Sequence, residues 1–270
     1  VKMGHTQIIA AMGYSGIYPE NTLLAYRKAI EAGAEGIEVD AHLTKDGVIV
    51  LSHDDDIGRT TDGTGKIRDF TYEELRSFNA AHAFREEAEP GTVPQLFVSK
   101  PRPGERAEAI GFQEIPKLAD LFGLVGNQAV RVIVEMKGTR ASNPDMGRLV
   151  AEMIVEYGMQ EHAVISSFDH EYVHDLSAAY PALAFAAITT ADRLYDPGAY
   201  AKRTGARQIH PYSTAVTPEM VRSCHEHGVE VVVWSVGETD EEAEMRQMIE
   251  MGVDGVMTHY PNRFYPMRRP

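Results

Sequence analysis

The stretch PEMVRSCHEHGVEVVVWSVGETDEEAEMRQMIEMGVDGVMT, residues 218–258, carries the reading that decides the fold. Pro218–His227 has the apolar spacing of an amphipathic helix, and Gly228 follows where a left-handed C-cap is wanted. A β-rich run comes next, Glu230–Val236, and then a second amphipathic run, Asp240–Met251. That run closes on Gly252 and leads into another β-rich segment, Asp254–Thr258. The same alternation extends back along the chain. Strands are predicted at Gln7–Ala11, Gly36–His42, Val48–Ser52, Val130–Met136, Ala163–Phe168, Leu183–Thr189 and Arg207–His210. Helices are predicted at Thr22–Ala32, Met146–Tyr157 and Glu171–Tyr180, with Gly33 and Gly205 in further C-cap positions. Strand then helix, repeated about eight times in roughly 250 residues, is the pattern of a TIM-type (β/α)8 barrel, an α/β fold. A doubly wound open sheet is the competing arrangement. It is weakened because no Gly-x-Gly-x-x-Gly follows the first strand.

Two places break the alternation. Only Leu43-Thr44-Lys45-Asp46-Gly47 separates Gly36–His42 from Val48–Ser52, too little for the crossover that parallel strands need. An antiparallel hairpin turning at Asp46-Gly47 is therefore predicted, and setting Val48–Ser52 aside leaves eight strands for the barrel. A two-residue loop would place Asp40 opposite His53, and a slip of one residue would keep His53 beside it. Residues 55–116 read as turns and charge with one helix, Tyr72–Asn79. They are expected to be an insertion over the C-terminal mouth of a single domain spanning 1–270. Within it Pro90–Arg106, with four of the fourteen prolines, is expected to be an exposed loop.

Composition narrows the function classes. With 43% hydrophobic residues the 270-residue chain can bury a full core. Its 26 basic and 40 acidic side chains give a formal charge of −14, which disfavours nucleic acid and anionic membrane as partners. A small anionic substrate stays compatible, because a bound cation inverts the local field. The single cysteine, Cys224, excludes a disulfide framework and a zinc–cysteine cluster, so a cytoplasmic location is expected. No apolar run approaches the roughly 18 residues of a membrane span, and Val1–Gln7 has no signal-peptide character. Homo-oligomer formation is compatible with all of this.

Chemistry concentrates at two strand ends. In Gly36-Ile37-Glu38-Val39-Asp40 the two carboxylates stand at i and i+2, on one face of a strand, with Ile37 and Val39 on the other. Glu135 and Lys137 end the apolar run Val132-Ile133-Val134 with the same spacing. Acids facing a barrel interior are costly unless neutralised. Glu38, Asp40 and Glu135 together form a hard oxygen site suited to Mg2+ or Ca2+ and not to zinc. Lys137 suits an anionic oxygen of the substrate. His210 at the same mouth reads as a satisfied structural histidine, and Ser166-Ser167 lacks the context of a nucleophile elbow.

These residues sit within longer motifs. Gly13-x-Ser15-Gly16-x-x-Pro19-Glu20-Asn21-Thr22, Gly36–Asp40, His53-Asp54 and Arg59-Thr60-Thr61-x-Gly63-x-Gly65 resemble the glycerophosphodiester phosphodiesterase family. So do Glu135-Met136-Lys137, Ser166-Ser167-Phe168, Trp234 and Thr258-x-Tyr260-Pro261, and the likeness runs in order from about Ile8 to Pro261. The resemblance implies a barrel with a small insertion, one divalent cation and cleavage of glycerol phosphodiesters, in the setting of glycerol and lipid metabolism. It places the metal ligands on Glu38, Asp40 and Glu135, a catalytic histidine on His53, a phosphate contact on Lys137 and a wall of the substrate pocket on Trp234.

The sequence departs from the family at two points. The first strand of the family ordinarily ends in His-Arg-Gly, where this chain has Ala11-Met12-Gly13. The family usually has aspartate where this chain has His259. In a closed barrel the last strand lies beside the first, so His259 is the candidate to replace the missing acid/base group. The expected function is a metal-dependent phosphodiester hydrolase with altered acid/base machinery, acting on a glycerol or polyol phosphodiester. A descendant that keeps the metal site and binds a ligand without turnover is the competing reading. An enzyme that stops at a cyclic phosphate is a variant of the first.

Overall fold

A computed structural model describes residues 5–84, 101–105 and 110–264. Among them nine strands form: β1 (Gln7–Ala11), β2 (Gly36–Leu43), β3 (Ile49–Leu51), β4 (Arg131–Met136), β5 (Ala163–Ser167), β6 (Ala184–Ile188), β7 (Gln208–His210), β8 (Glu230–Val233) and β9 (Gly255–Thr258). All but β3 are parallel to their barrel neighbours, in the order β1-β9-β8-β7-β6-β5-β4-β2, and β1 pairs with β2 to close the ring. The helices are α1 (Leu23–Glu31), α2 (Tyr72–Leu75), α3 (Leu118–Val125), α4 (Met146–Glu156), α5 (His170–Ala179), α6 (Pro197–Arg203), α7 (Pro218–Glu226) and α8 (Glu242–Met251). This is the expected TIM barrel. The short helices α3 and α6 were outside the sequence expectation, because seven or eight residues carry too little periodicity to stand out.

Strand alternation sorts the side chains. Ile37, Val39 and Ala41 of β2 join Val132, Val134 and Met136 of β4 in the core between barrel and helices. The opposite faces look inward, where Ile9, Ile133, Val164, Ala186, Val232 and Met257 fill the barrel. An interior lined by packed apolar side chains leaves polar chemistry to the strand ends.

The hairpin corrects one expectation. Ala41 pairs with Leu51, His42 with Val50 and Leu43 with Ile49, so Asp40 is level with Ser52, whose N–H donates to the Asp40 carbonyl at 2.9 Å. Asp40 does not face His53; the register is one residue away from that prediction. The cause is a three-residue loop, Lys45-Asp46-Gly47, in which Gly47 takes φ +79°. Thr44 Oγ1 secures the loop by accepting from the Val48 N–H at 2.9 Å and donating to Asp46 at 2.6 Å.

Beyond β3 the chain builds a small satellite core from Val50, Ile57, Ile67, Leu75, Ala80 and Ile115. It returns beside β3 where the Pro116 carbonyl accepts from the Leu51 N–H at 2.9 Å. The helix expected at Tyr72–Asn79 ends at Leu75, and most of the expected Pro90–Arg106 loop lies outside the described residues. Among the described residues no helix is long and apolar enough to cross a membrane.

Candidate active site

Parallel pairing sets Asp40 level with Glu135 at the C-terminal end of the barrel. Glu38, Asp40 and Glu135 each offer a carboxylate oxygen within 4.8 Å of the others. Lys137 reaches back into the cluster and bonds Asp40 Oδ1 and Glu135 Oε1, both at 2.8 Å. Burial pushes the Glu38 carboxyl well above its ordinary value, and the charges of Asp40 and Glu135 push it further. Burial raises Glu135 as well, against the opposing pull of Lys137. Burial alone would raise Asp40 too, but Lys137, His53 and the Asn21 hydrogen bond bring it down. The Lys137 ammonium is disfavoured by burial, yet the two carboxylates hold its pKa above the usual lysine range. One ammonium against three carboxylates leaves the cluster short of positive charge.

The loop from β1 to α1 supplies a floor to this cluster. Met12 has φ +54° and Asn21 φ +50°, a left-handed conformation that side chains adopt at a cost. The strain is held by hydrogen bonds: the Met12 N–H donates to the Glu38 carbonyl at 2.9 Å and to Glu38 Oε2 at 3.2 Å, and the Asn21 N–H donates to the Met12 carbonyl at 3.0 Å. Asn21 Nδ2 then donates to Asp40 Oδ2 at 2.8 Å, while the buried Tyr26 hydroxyl donates to Asn21 Oδ1 at 2.9 Å. Asn21 and Tyr26 thus orient Asp40. The Pro19–Thr22 motif contained the signal for Asn21, but no role could be read from it.

His53 follows β3. Its Nδ1 pairs with Asp54 Oδ1 at 2.8 Å. Arg59 grips Asp54 Oδ2 at 2.5 Å and spans to Glu20 with bonds of 2.5 and 3.0 Å. Burial works against a charged His53 ring, but the Asp54 hydrogen bond and the Asp40 charge more than compensate, and its pKa is raised. The same hydrogen bond, with Arg59, holds Asp54 well below the usual carboxylate range. The segment around Arg59 therefore braces His53.

Just past the end of β9, next to β1 in the ring, His259 is buried at 5% exposure. Its Nδ1 pairs with Asp240 Oδ2 at 2.8 Å; its backbone N–H and the Thr258 hydroxyl donate to Asp240 Oδ1 at 2.7 and 2.6 Å. Asp240, itself fully buried, is a site residue that sequence reasoning missed. The sequence pattern predicts a helix from Asp240, whereas α8 begins at Glu242 and Asp240 closes the 3-10 turn Glu238–Asp240. Trp234 Nε1 donates to the carbonyls of Thr189 and His210 at 3.0 and 3.1 Å. Its indole meets Phe168 and Tyr212 edge-on.

All the predicted site residues, Glu38, Asp40, His53, Glu135, Lys137, Trp234 and His259, line one cavity of about 380 Å³. Ala11, Met12, Phe168, Ile188 and Met257 add apolar lining, with Ala11 and Met12 beside Glu38. His210, expected to be a structural histidine, and Ser166, which lacks a nucleophile-elbow context, line it as well.

A TIM-barrel mouth with three carboxylates that could hold a cation, a lysine and two carboxylate-held imidazoles is the arrangement of a hydrolase. Comparison narrows that class. The model of the Glycerophosphoryl diester phosphodiesterase family matches residues 12–263. A glycerophosphodiester phosphodiesterase from Caldanaerobacter subterraneus subsp. tengcongensis is 35% identical over 256 residues, covering 95% of each chain. Another, from Bacillus altitudinis, is 31% identical over 265 residues, 97% of this chain and 98% of its own length. A crystal structure from Silicibacter pomeroyi superposes with a TM-score of 0.82 at 25% identity, covering 98% of this chain and 94% of that one. The chain belongs to the glycerophosphoryl diester phosphodiesterase family, whose members are phosphoric diester hydrolases.

Proposed function

We propose that this protein is a metal-dependent phosphodiesterase that cleaves a glycerol or polyol phosphodiester at the barrel mouth. The observation that carries the reading is the convergence of three carboxylates, Lys137 and two oriented histidines on one cavity. The donor set fits a divalent cation: it is all oxygen, it is buried, and its carboxylates outnumber the one ammonium among them. A Mg2+ or Ca2+ ion held by Glu38, Asp40 and Glu135 supplies positive charge for the non-bridging phosphate oxygens when bound.

The protein's own groups do the rest. Lys137 holds a non-bridging oxygen. An attacking oxygen, from water or from a hydroxyl of the substrate, bonds to phosphorus as the bond from phosphorus to the departing alcohol breaks. One of His53 and His259 takes the proton of the attacking oxygen, and the other returns a proton to the leaving alkoxide. Asp54 and Asp240 hold Nδ1 of the two rings, a contact that supports proton transfer through Nε2. Attack by water gives a monoester, and attack by a neighbouring hydroxyl gives a cyclic phosphate. Ala11 and Met12 make the cavity roomier and less cationic than a histidine–arginine pair would, favouring a bulkier or less charged diester. Trp234 forms the opposing wall, residues 55–116 are an insertion in a single domain, and we place the reaction in the cytoplasm.

Phosphorus NMR on a panel of glycerophosphodiesters, with Mg2+ or Ca2+, tests the reading. Turnover that disappears on chelation and in Glu38→Gln supports it. Undiminished turnover by His259→Ala removes His259 from the mechanism. Tight, cation-dependent binding without turnover of any panel member favours the ligand-binding descendant.

A further inference from the structure

Two buried polar atoms in the cavity have no hydrogen-bond partner: Ser166 Oγ on β5 and His210 Nδ1 on β7. Each residue is 1% exposed. Leaving polar groups unmet at such depth is unfavourable, and neither residue has a part in the acid/base chemistry above.

The character of the His210 atom is fixed by a polar chain rising from the N-terminal ends of β4, β7 and β8. Arg131 donates to Glu230 Oε2 at 2.9 Å, and Gln208 Nε2 donates to the same oxygen at 2.5 Å. The amide of Gln208 is thereby turned so that its Oε1 meets His210 Nε2 at 2.9 Å. A carbonyl oxygen can only accept, so Nε2 carries the ring proton and Nδ1 presents a lone pair. Burial and then the Arg131 charge push the His210 pKa down to about 3, so the ring stays neutral at physiological pH. A lone pair repels a phosphate oxygen and accepts from a hydroxyl. The intervening strand, β6, offers only Ala186 and Ile188 beside these residues, which leaves space without competing polar groups.

We propose that His210 and Ser166 form a seat for a hydroxyl group of the substrate alcohol, with His210 Nδ1 accepting the hydroxyl proton and Ser166 Oγ completing the contact. The seat makes the site specific for a polyol ester over a simple alkyl ester. The inference rests on reading this cavity as a polyol phosphate site, and it adds the specificity-determining residues. Arg131, Glu230 and Gln208 are positioning residues that set the His210 tautomer.

Binding tests the seat without requiring turnover. Calorimetry with Mg2+ present compares glycerol 3-phosphate with n-propyl phosphate, which lacks both free hydroxyls. One hydrogen bond gained or lost predicts roughly tenfold tighter binding of the glycerol ester. His210→Leu abolishes that preference, while His210→Asn, which keeps an acceptor near the Nδ1 position, retains part of it. Nitrogen-15 NMR of the unsubstituted protein supplies a second readout, needing no folded variant: the unprotonated His210 Nδ1 resonance moves with glycerol 3-phosphate and stays with n-propyl phosphate. Equal affinity for the two compounds, a preference that survives in His210→Leu, or an Nδ1 resonance that neither ligand moves overturns the proposal. A glycerol preference in a protein that cleaves no diester leaves the seat standing and removes the hydrolase reading.

Discussion

Replacing Asp240 by asparagine isolates the least expected part of the site. The carboxylate accepts three hydrogen bonds, from the His259 backbone, His259 Nδ1 and the Thr258 hydroxyl, at 2.6–2.8 Å. An asparagine with Oδ1 toward the backbone N–H and the hydroxyl keeps two of them. It then presents an NH2 donor to His259 Nδ1, which forces the ring proton onto Nε2. That tautomer cannot act as a base at Nε2. The expected loss is the contribution of one acid/base group, about 10²–10⁴ in kcat, with KM little changed. Stability should fall modestly, because bonds to a charged acceptor become neutral ones at a cost of about 1 kcal/mol each. For a domain of this size that is a Tm decrease of roughly 2–4 °C per kcal/mol. Phosphorus NMR initial rates across pH, beside thermal melts, provide the assay. An Asp240→Asn protein that turns over within about threefold of the parent, with the parent's pH profile, would refute the role of His259.

Other consequences are equally checkable. Asp54→Asn removes the hydrogen bond that raises the His53 pKa, so the His53 ring should titrate at lower pH, read by NMR. The raised His53 pKa stabilises the fold fully below its unfolded value, about 6.5, and this contribution fades as pH rises through the folded value. The depressed Asp54 pKa acts above about 3.9 and fades as pH falls, so the pair contributes most between these limits and loses that maximum in Asp54→Asn. Lys137→Met leaves Asp40 and Glu135 without their shared ammonium, a loss of about 3–5 kcal/mol. Its Tm without metal should drop by on the order of 10 °C and recover with millimolar Mg2+ or Ca2+. Gly47→Ala at φ +79° meets no neighbouring atom, so the strain alone should cost about 1 kcal/mol, visible as a Tm a few degrees lower with kcat intact.

Much of this site could be read from the chain because strand geometry exposes it. Glu38 with Asp40 and Glu135 with Lys137 share faces by spacing alone, and parallel pairing of neighbouring strands brings the two pairs level. His53 was placed near them by the hairpin, although the three-residue loop moved the register by one. What stayed hidden depends on contacts across the fold. Asp240 reaches His259 from a short 3-10 turn, and no local pattern announces that contact. Asn21 acts through a left-handed backbone that a motif alone does not reveal. His210 reads as a satisfied histidine until the bond from Gln208 shows which nitrogen is met and which is not. The departure at Ala11-Met12 was plain in the sequence. Its consequence is visible only in the cavity, where Met12 stands beside Glu38 and His259 lines the same space.

The proposed cleavage of a phosphodiester at this mouth uses a bound cation and proceeds without the histidine–arginine pair. It is tested most directly by phosphorus NMR of the unsubstituted protein on a glycerophosphodiester panel with Mg2+ or Ca2+, beside the Ala11→His/Met12→Arg protein. The unsubstituted protein is expected to convert at least one diester to a monoester or cyclic phosphate, and EDTA to stop it. Turnover by the doubly substituted protein alone would show that the native mouth does not cleave these diesters.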